Sequence, residues 1–125
     1  MNLTVRDVDR SAAWYRELLG LDQRYDYTSE DGRLRYVVLQ DLTLGFVLGL
    51  VSHAANPGEA FDETRTGLDH LEFLVDRRED IDAWAARLDA LGVAHSGVKD
   101  LGYTPNRMLT FRDPDNIQLE LISKG

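Results

Sequence analysis

Cysteine is absent from the 125-residue chain and there are three histidines, His53, His70 and His95. Thiolate chemistry is therefore excluded, and imidazole chemistry is limited to three positions. His70 is the histidine set in a pattern. It opens a run in which Leu71, Phe73 and Val75 alternate with His70, Glu72 and Leu74. Period two marks a half-buried strand. Near the C-terminus Ile117 to Ile122 alternates too, with Gln118 and Glu120 against Leu119 and Leu121. Imidazole nitrogen and carboxylate oxygen both donate to divalent cations, and a shielded carboxylate can move a proton. Taken alone, His70 reads as a strand-end histidine, and Glu120 on a solvent face would be a surface charge. A buried Glu120 needs a cation or a hydrogen-bond partner.

The elements that position these residues repeat. Subtracting 70 places Phe73 on Leu3, Val75 on Val5, Trp84 on Trp14 and Leu88 on Leu18. Four matches at one offset, two of them tryptophans, indicate an internal duplication. The position matching His70 is then residue 0, just before Met1. In the first half, Leu3 to Val5 is a strand, and Asp7 or Asp9 caps a helix striped by Ala12, Ala13, Tyr15, Leu18 and Leu19 and stopped by Gly20. Three strands follow, at Gln23 to Ser29, Leu34 to Gln40 and Leu44 to Val51, with Gly45 and Gly49 marking a bulge or a close backbone approach. Residues 53–66 are polar, contain Asn56-Pro57-Gly58-Glu59 and read as a linker. The second half repeats the order. A strand from His70, a helix from Glu79 to Leu91 and a strand from Val93 to Val98 precede a loop at Lys99 to Pro105. Strands at Arg107 to Arg112 and Ile117 to Ile122 flank the turn Asp113-Pro114-Asp115-Asn116. The fold expected is α+β, two tandem βαβββ modules at 1–52 and 67–125.

Apolar residues make up 43% and charged residues 29%, the balance of a soluble globular chain. No window has 18 consecutive apolar residues, so a membrane span is not expected. The N-terminus enters a strand directly, so no signal peptide is expected, and with no cysteine a cytoplasmic location is expected. A net charge of −8 opposes binding to a phosphate backbone, and nucleic acid is excluded as a partner.

The run Phe111-Arg112-Asp113-Pro114-Asp115-Asn116-Ile117-Gln118-Leu119-Glu120-Leu121, the midpoint Gly67-Leu68-Asp69-His70-Leu71-Glu72-Phe73 and the opening Leu3 to Tyr15 resemble the vicinal-oxygen-chelate superfamily. That group holds glyoxalase I, bleomycin- and fosfomycin-resistance proteins and extradiol dioxygenases. The resemblance covers nearly the whole chain. It implies that each half curls its sheet and that the two form an open, cup-shaped barrel around one cavity. It also implies a divalent metal (Fe, Mn, Ni, Zn or Mg) held by a His on the first strand and a Glu or Gln on the last strand of each half. Position by position, His70 and Glu120 match the second-half ligands, with Glu120 also placed to move a proton. The first-half histidine falls at residue 0. Gly49 falls where the first-half carboxylate belongs, and glycine has no donor. His53, Gln40 or a residue upstream of Met1 is left to complete the set.

Phe46, Leu48 and Met108 are expected as apolar cavity wall or core, and Tyr103 and Arg107 as substrate contacts or plain loop residues. Trp14 and Trp84 are expected in packing, and His95 at the surface. The resemblance implies a homodimer with a small-molecule ligand, and two functions. One is a metal-dependent lyase, isomerase or dioxygenase acting on a small oxygen-rich molecule. The other is a metal-free protein that sequesters a small hydrophobic or aromatic compound. His70 and Glu120 favour the first, and Gly49 favours the second.

Overall fold

The computed structural model describes residues 1–125, which form two units, Met1–Ala60 and Phe61–Gly125. In the first, β1 (Asn2–Thr4) leads into α1 (Val8–Leu19). Asp7 caps the helix by accepting the Arg10 amide at 3.1 Å. Gly20 ends it at φ 68°, a left-handed turn that a side chain would strain. Val8, Ser11, Ala12, Tyr15 and Leu18 form the buried stripe. Ala13, expected in that stripe, is exposed, because it lies one residue past the face that Ala12 and Tyr15 define. Strands β2 (Asp22–Thr28), β3 (Leu34–Asp41) and β4 (Phe46–His53) complete the sheet in the order β1-β4-β3-β2. β1 runs parallel to β4 and the other pairs are antiparallel, with a register shift between Gln23 and Tyr25. α1 packs on β3 and β4 over Val37, Leu39, Leu48 and Leu50, all essentially inaccessible to solvent.

The second unit has the same topology. Strand β5 (Leu71–Val75), helix α2 (Asp80–Ala90) and strands β6 (Lys99–Asp100), β7 (Arg107–Arg112) and β8 (Gln118–Ser123) give a sheet ordered β5-β8-β7-β6. β5 is parallel to β8. Ile81 and Leu88 of α2 are fully buried, and the helix packs on β7 and β8. The turn before β8 is tied by Asp113, whose Oδ1 accepts the amides of Asp115 at 2.9 Å and Ile117 at 2.8 Å. Asn116 follows at φ 68° and donates from Nδ2 to the Phe61 carbonyl. The strand expected over Val93 to Val98 shrinks to one bridge, His95 to Phe111, followed by two-residue β6. Gly97 at φ 77° interrupts the extended backbone there. His95, expected at the surface, is half-buried, with Nε2 2.8 Å from Asp89 and Nδ1 accepting the Gly97 amide. No helix is long and apolar enough to cross a membrane.

Candidate functional site

Alternation sorts the second sheet into two faces. Leu71, Leu109, Phe111, Leu119 and Leu121 are buried on one. The other carries Glu72, Thr110 and Glu120 in a row, since β5 and β7 set Glu72 and Thr110 opposite Glu120 on either side of β8. His70, one residue ahead of β5, shares the parity of Glu72. One ligand atom from each of His70, Glu72 and Glu120 lies within 4.8 Å of the others.

The histidine is held from behind. Its Nδ1 sits 2.6 Å from Asp69 Oδ1, and because a carboxylate can only accept, Nδ1 carries the proton. That fixes the ring and turns Nε2 toward Glu120, whose Oε2 is 3.8 Å away, beyond hydrogen-bond range. The hydrogen bond that His70 donates to Asp69 is the main cause holding the His70 pKa above its ordinary value, with the charge of Glu120 adding to it. Glu120 is only 8% exposed. Burial raises its pKa against the opposing pull of His70, and the charge of Glu72 raises it further. Two carboxylates 4.8 Å apart or less repel by on the order of 1–3 kcal/mol, less where water reaches Glu72. The row is therefore electronegative, with a nitrogen aimed into it, and suits a cation. One imidazole and two carboxylates without sulfur suit a hard or borderline divalent ion.

The first unit answers the same row differently. β1 sets Asn2 opposite Gly49, as β5 sets Glu72 opposite Glu120. Tyr36 donates its hydroxyl to Asn2 Oδ1 at 2.9 Å. A Cβ built on Gly49 would lie 1.9 Å from Asn2 Oδ1 and 2.5 Å from the Tyr36 ring. The position where a first-half carboxylate would stand is thus filled by an amide and a phenol.

The other expected site residues are dispersed. Met108 lies on the Glu120 face of the second sheet, opposite Ile122. Arg107 has the other parity and pairs with Asp82 of α2 at 2.7 Å. Tyr103 sits in the loop before β7, 83% exposed. In the first unit Leu48 is fully buried under α1, and Phe46 is half-buried at the start of β4. His53 ends β4 in an exposed position and Gln40 is half-buried on β3. Glu72 is a member of the group that is not among the ligands expected from sequence. Its spacing of two from His70 was the available signal.

The profile of the Glyoxalase/Bleomycin resistance protein/Dioxygenase superfamily matches residues 1–121. The uncharacterized protein YaeR of Escherichia coli (strain K12) is 34% identical over 116 residues, spanning 91% of this chain and 85% of YaeR. A glyoxylase/bleomycin resistance protein/dioxygenase domain from Frankia sp. EAN1pec superposes with a TM-score of 0.85 at 34% identity, covering 99% of this chain and 88% of that one. The fosfomycin resistance protein FosX of Listeria monocytogenes, complexed with Mn(II) and sulfate, superposes with a TM-score of 0.70 at 19% identity over 99% of this chain and 88% of its own, a likeness of fold alone.

Proposed function

The chain belongs to the glyoxalase/bleomycin resistance protein/dioxygenase superfamily, and on that premise we propose that it is a divalent-metal-dependent enzyme acting on a small oxygen-rich organic molecule. The reaction is of the lyase, isomerase or dioxygenase type. What supports this reading is one observation: the Asp69-oriented His70 points its free nitrogen at buried Glu120. Asp69 plays the part that a carboxylate commonly plays behind a metal-bound histidine, fixing the tautomer and raising the basicity of the donor nitrogen. FosX, which shares the fold, is described with Mn(II). A divalent ion supplies Lewis acidity to neighbouring substrate oxygens as negative charge develops on them. The chain's own residues hold and orient. Glu120 is the residue placed to take up or return a proton at its carboxylate oxygen. Met108 and Thr110 flank it on the same sheet face.

A second reading draws on Gly49. With Asn2 and Tyr36 filling that position, the first unit offers no carboxylate there. A metal-free protein that sequesters a small hydrophobic or aromatic compound uses the same fold. Metal analysis of the full chain after dialysis separates the two. The enzyme reading expects about one metal per chain, lost in His70→Ala and in Glu120→Gln. Metal-free protein that still binds small ligands supports the sequestering reading instead. A homodimer fits either reading, because the edge strands β2 and β5 expose Tyr25, Tyr27 and Leu74. Light scattering at twice the chain mass is the expected result.

A further inference from the structure

Resting on the metal reading above, we infer that Glu72 is a third protein ligand, so that the second unit alone offers a divalent cation one imidazole nitrogen and two carboxylates. Family resemblance assigns no such role to this position. Three features of the chain lead to it. Glu72 stands directly beside Glu120 in the parallel β5–β8 register, on the face that His70 shares, and all three donor atoms fall within 4.8 Å of one another.

The second feature is what Glu120 lacks. Its carboxylate is buried, and His70 Nε2 stays at 3.8 Å, beyond hydrogen-bond range. Placing another acid beside a buried carboxylate adds repulsion, and a cation shared by the two removes it.

The third is an internal comparison. Across the duplication Glu72 corresponds to Asn2 and Glu120 to Gly49. Where the buried carboxylate is missing, the adjacent one is missing too, and an amide bonded to Tyr36 stands in its place. The two acids are present together in the second unit and absent together from the first. Nor is Glu72 one of a general set of charges guarding an edge strand, since Leu74, the next residue on the same face, is apolar and 60% exposed.

The donor set contains no sulfur and more oxygen than nitrogen, which suits Mn²⁺, Fe²⁺ or Mg²⁺ chemistry. Mn²⁺ is the direct probe, because the free ion is read by electron paramagnetic resonance without any substrate. Full-length wild type, Glu72→Gln, His70→Ala and Glu120→Gln are titrated with Mn²⁺ at low salt and at high salt, with circular dichroism confirming the fold of each. Glu72→Gln is expected to weaken Mn²⁺ binding about tenfold or more. The loss persists at high salt, where the through-space pull of an exposed charge is screened. The spectrum of the bound ion changes as well. Wild-type affinity in Glu72→Gln, or a loss that vanishes at high salt, overturns the assignment of Glu72 while the effects of His70→Ala and Glu120→Gln leave the metal reading standing. A wild type that binds no Mn²⁺ overturns both.

Discussion

At Gly49 a methyl group meets Asn2 Oδ1 at 1.9 Å and the Tyr36 ring at 2.5 Å. Both are side chains able to move, so Gly49→Ala is expected to destabilise the chain by about 1–3 kcal/mol rather than prevent folding. In a Tyr36→Ala background that penalty shrinks, and a double-mutant cycle in urea reads the coupling. Equal penalties in both backgrounds would mean the ring is not what fills the space. Glu63 offers a second test at this scale. Arg112 grips it at 2.7 and 3.0 Å and holds its pKa down at about 2, from an ordinary 4.5. A depressed carboxylate contributes its stability in full above the ordinary value and loses it as pH falls toward 2. Arg35 lowers Asp9 and Asp26 in the same direction. The urea midpoint is therefore expected to fall between pH 4.5 and 2, and Arg112→Met flattens part of that slope. An unchanged slope would show that the pair contributes nothing in solution, as exposed pairs often do.

Elements were legible where one periodicity ran unbroken. Asp7, Tyr15, Leu18 and Gly20 announce α1 as cap, stripe and stop, and the helix forms between them. Asp7→Ala removes the bond to the Arg10 amide and is expected to cost about 1 kcal/mol. Leu88→Ala empties a fully buried place under α2 and is expected to cost about 2–5 kcal/mol. Equilibrium unfolding measures both, and a neutral Leu88→Ala would contradict the packing of α2 on β7 and β8. The strand expected over Val93 to Val98 does not form, because the backbone turns at Gly97. There Ser96 Oγ donates to the Gly97 carbonyl and accepts the Thr110 amide, while His95 Nδ1 accepts the Gly97 amide. His95 was misplaced for the same reason, since its bridge to Phe111 and its contact with Asp89 depend on where that loop folds back. Arg107 shows a different limit. Alternation assigns it to the α2 face, yet its pairing with Asp82 depends on where the helix lands.

For the molecule as a whole, a constant offset of 70 carries most of the architecture. The same topology recurs in each unit, with Val5 and Val75 buried at matching positions and Leu18 and Leu88 on matching helices. His70 and Glu120 were legible as a pair through family pattern, and the spacing of two sets Glu72 on the His70 face, but its place beside Glu120 comes only from the parallel register of β5 and β8. Asn2 and Tyr36 beside Gly49 were hidden for the same reason, since the three belong to different strands. The central claim is that His70 and Glu120 hold one ion between them. Anomalous diffraction from a crystal soaked in Mn²⁺ tests it most directly. The account predicts a peak about 2 Å from both His70 Nε2 and a Glu120 carboxylate oxygen. A peak elsewhere, or none while the two side chains keep their 3.8 Å separation, would contradict it.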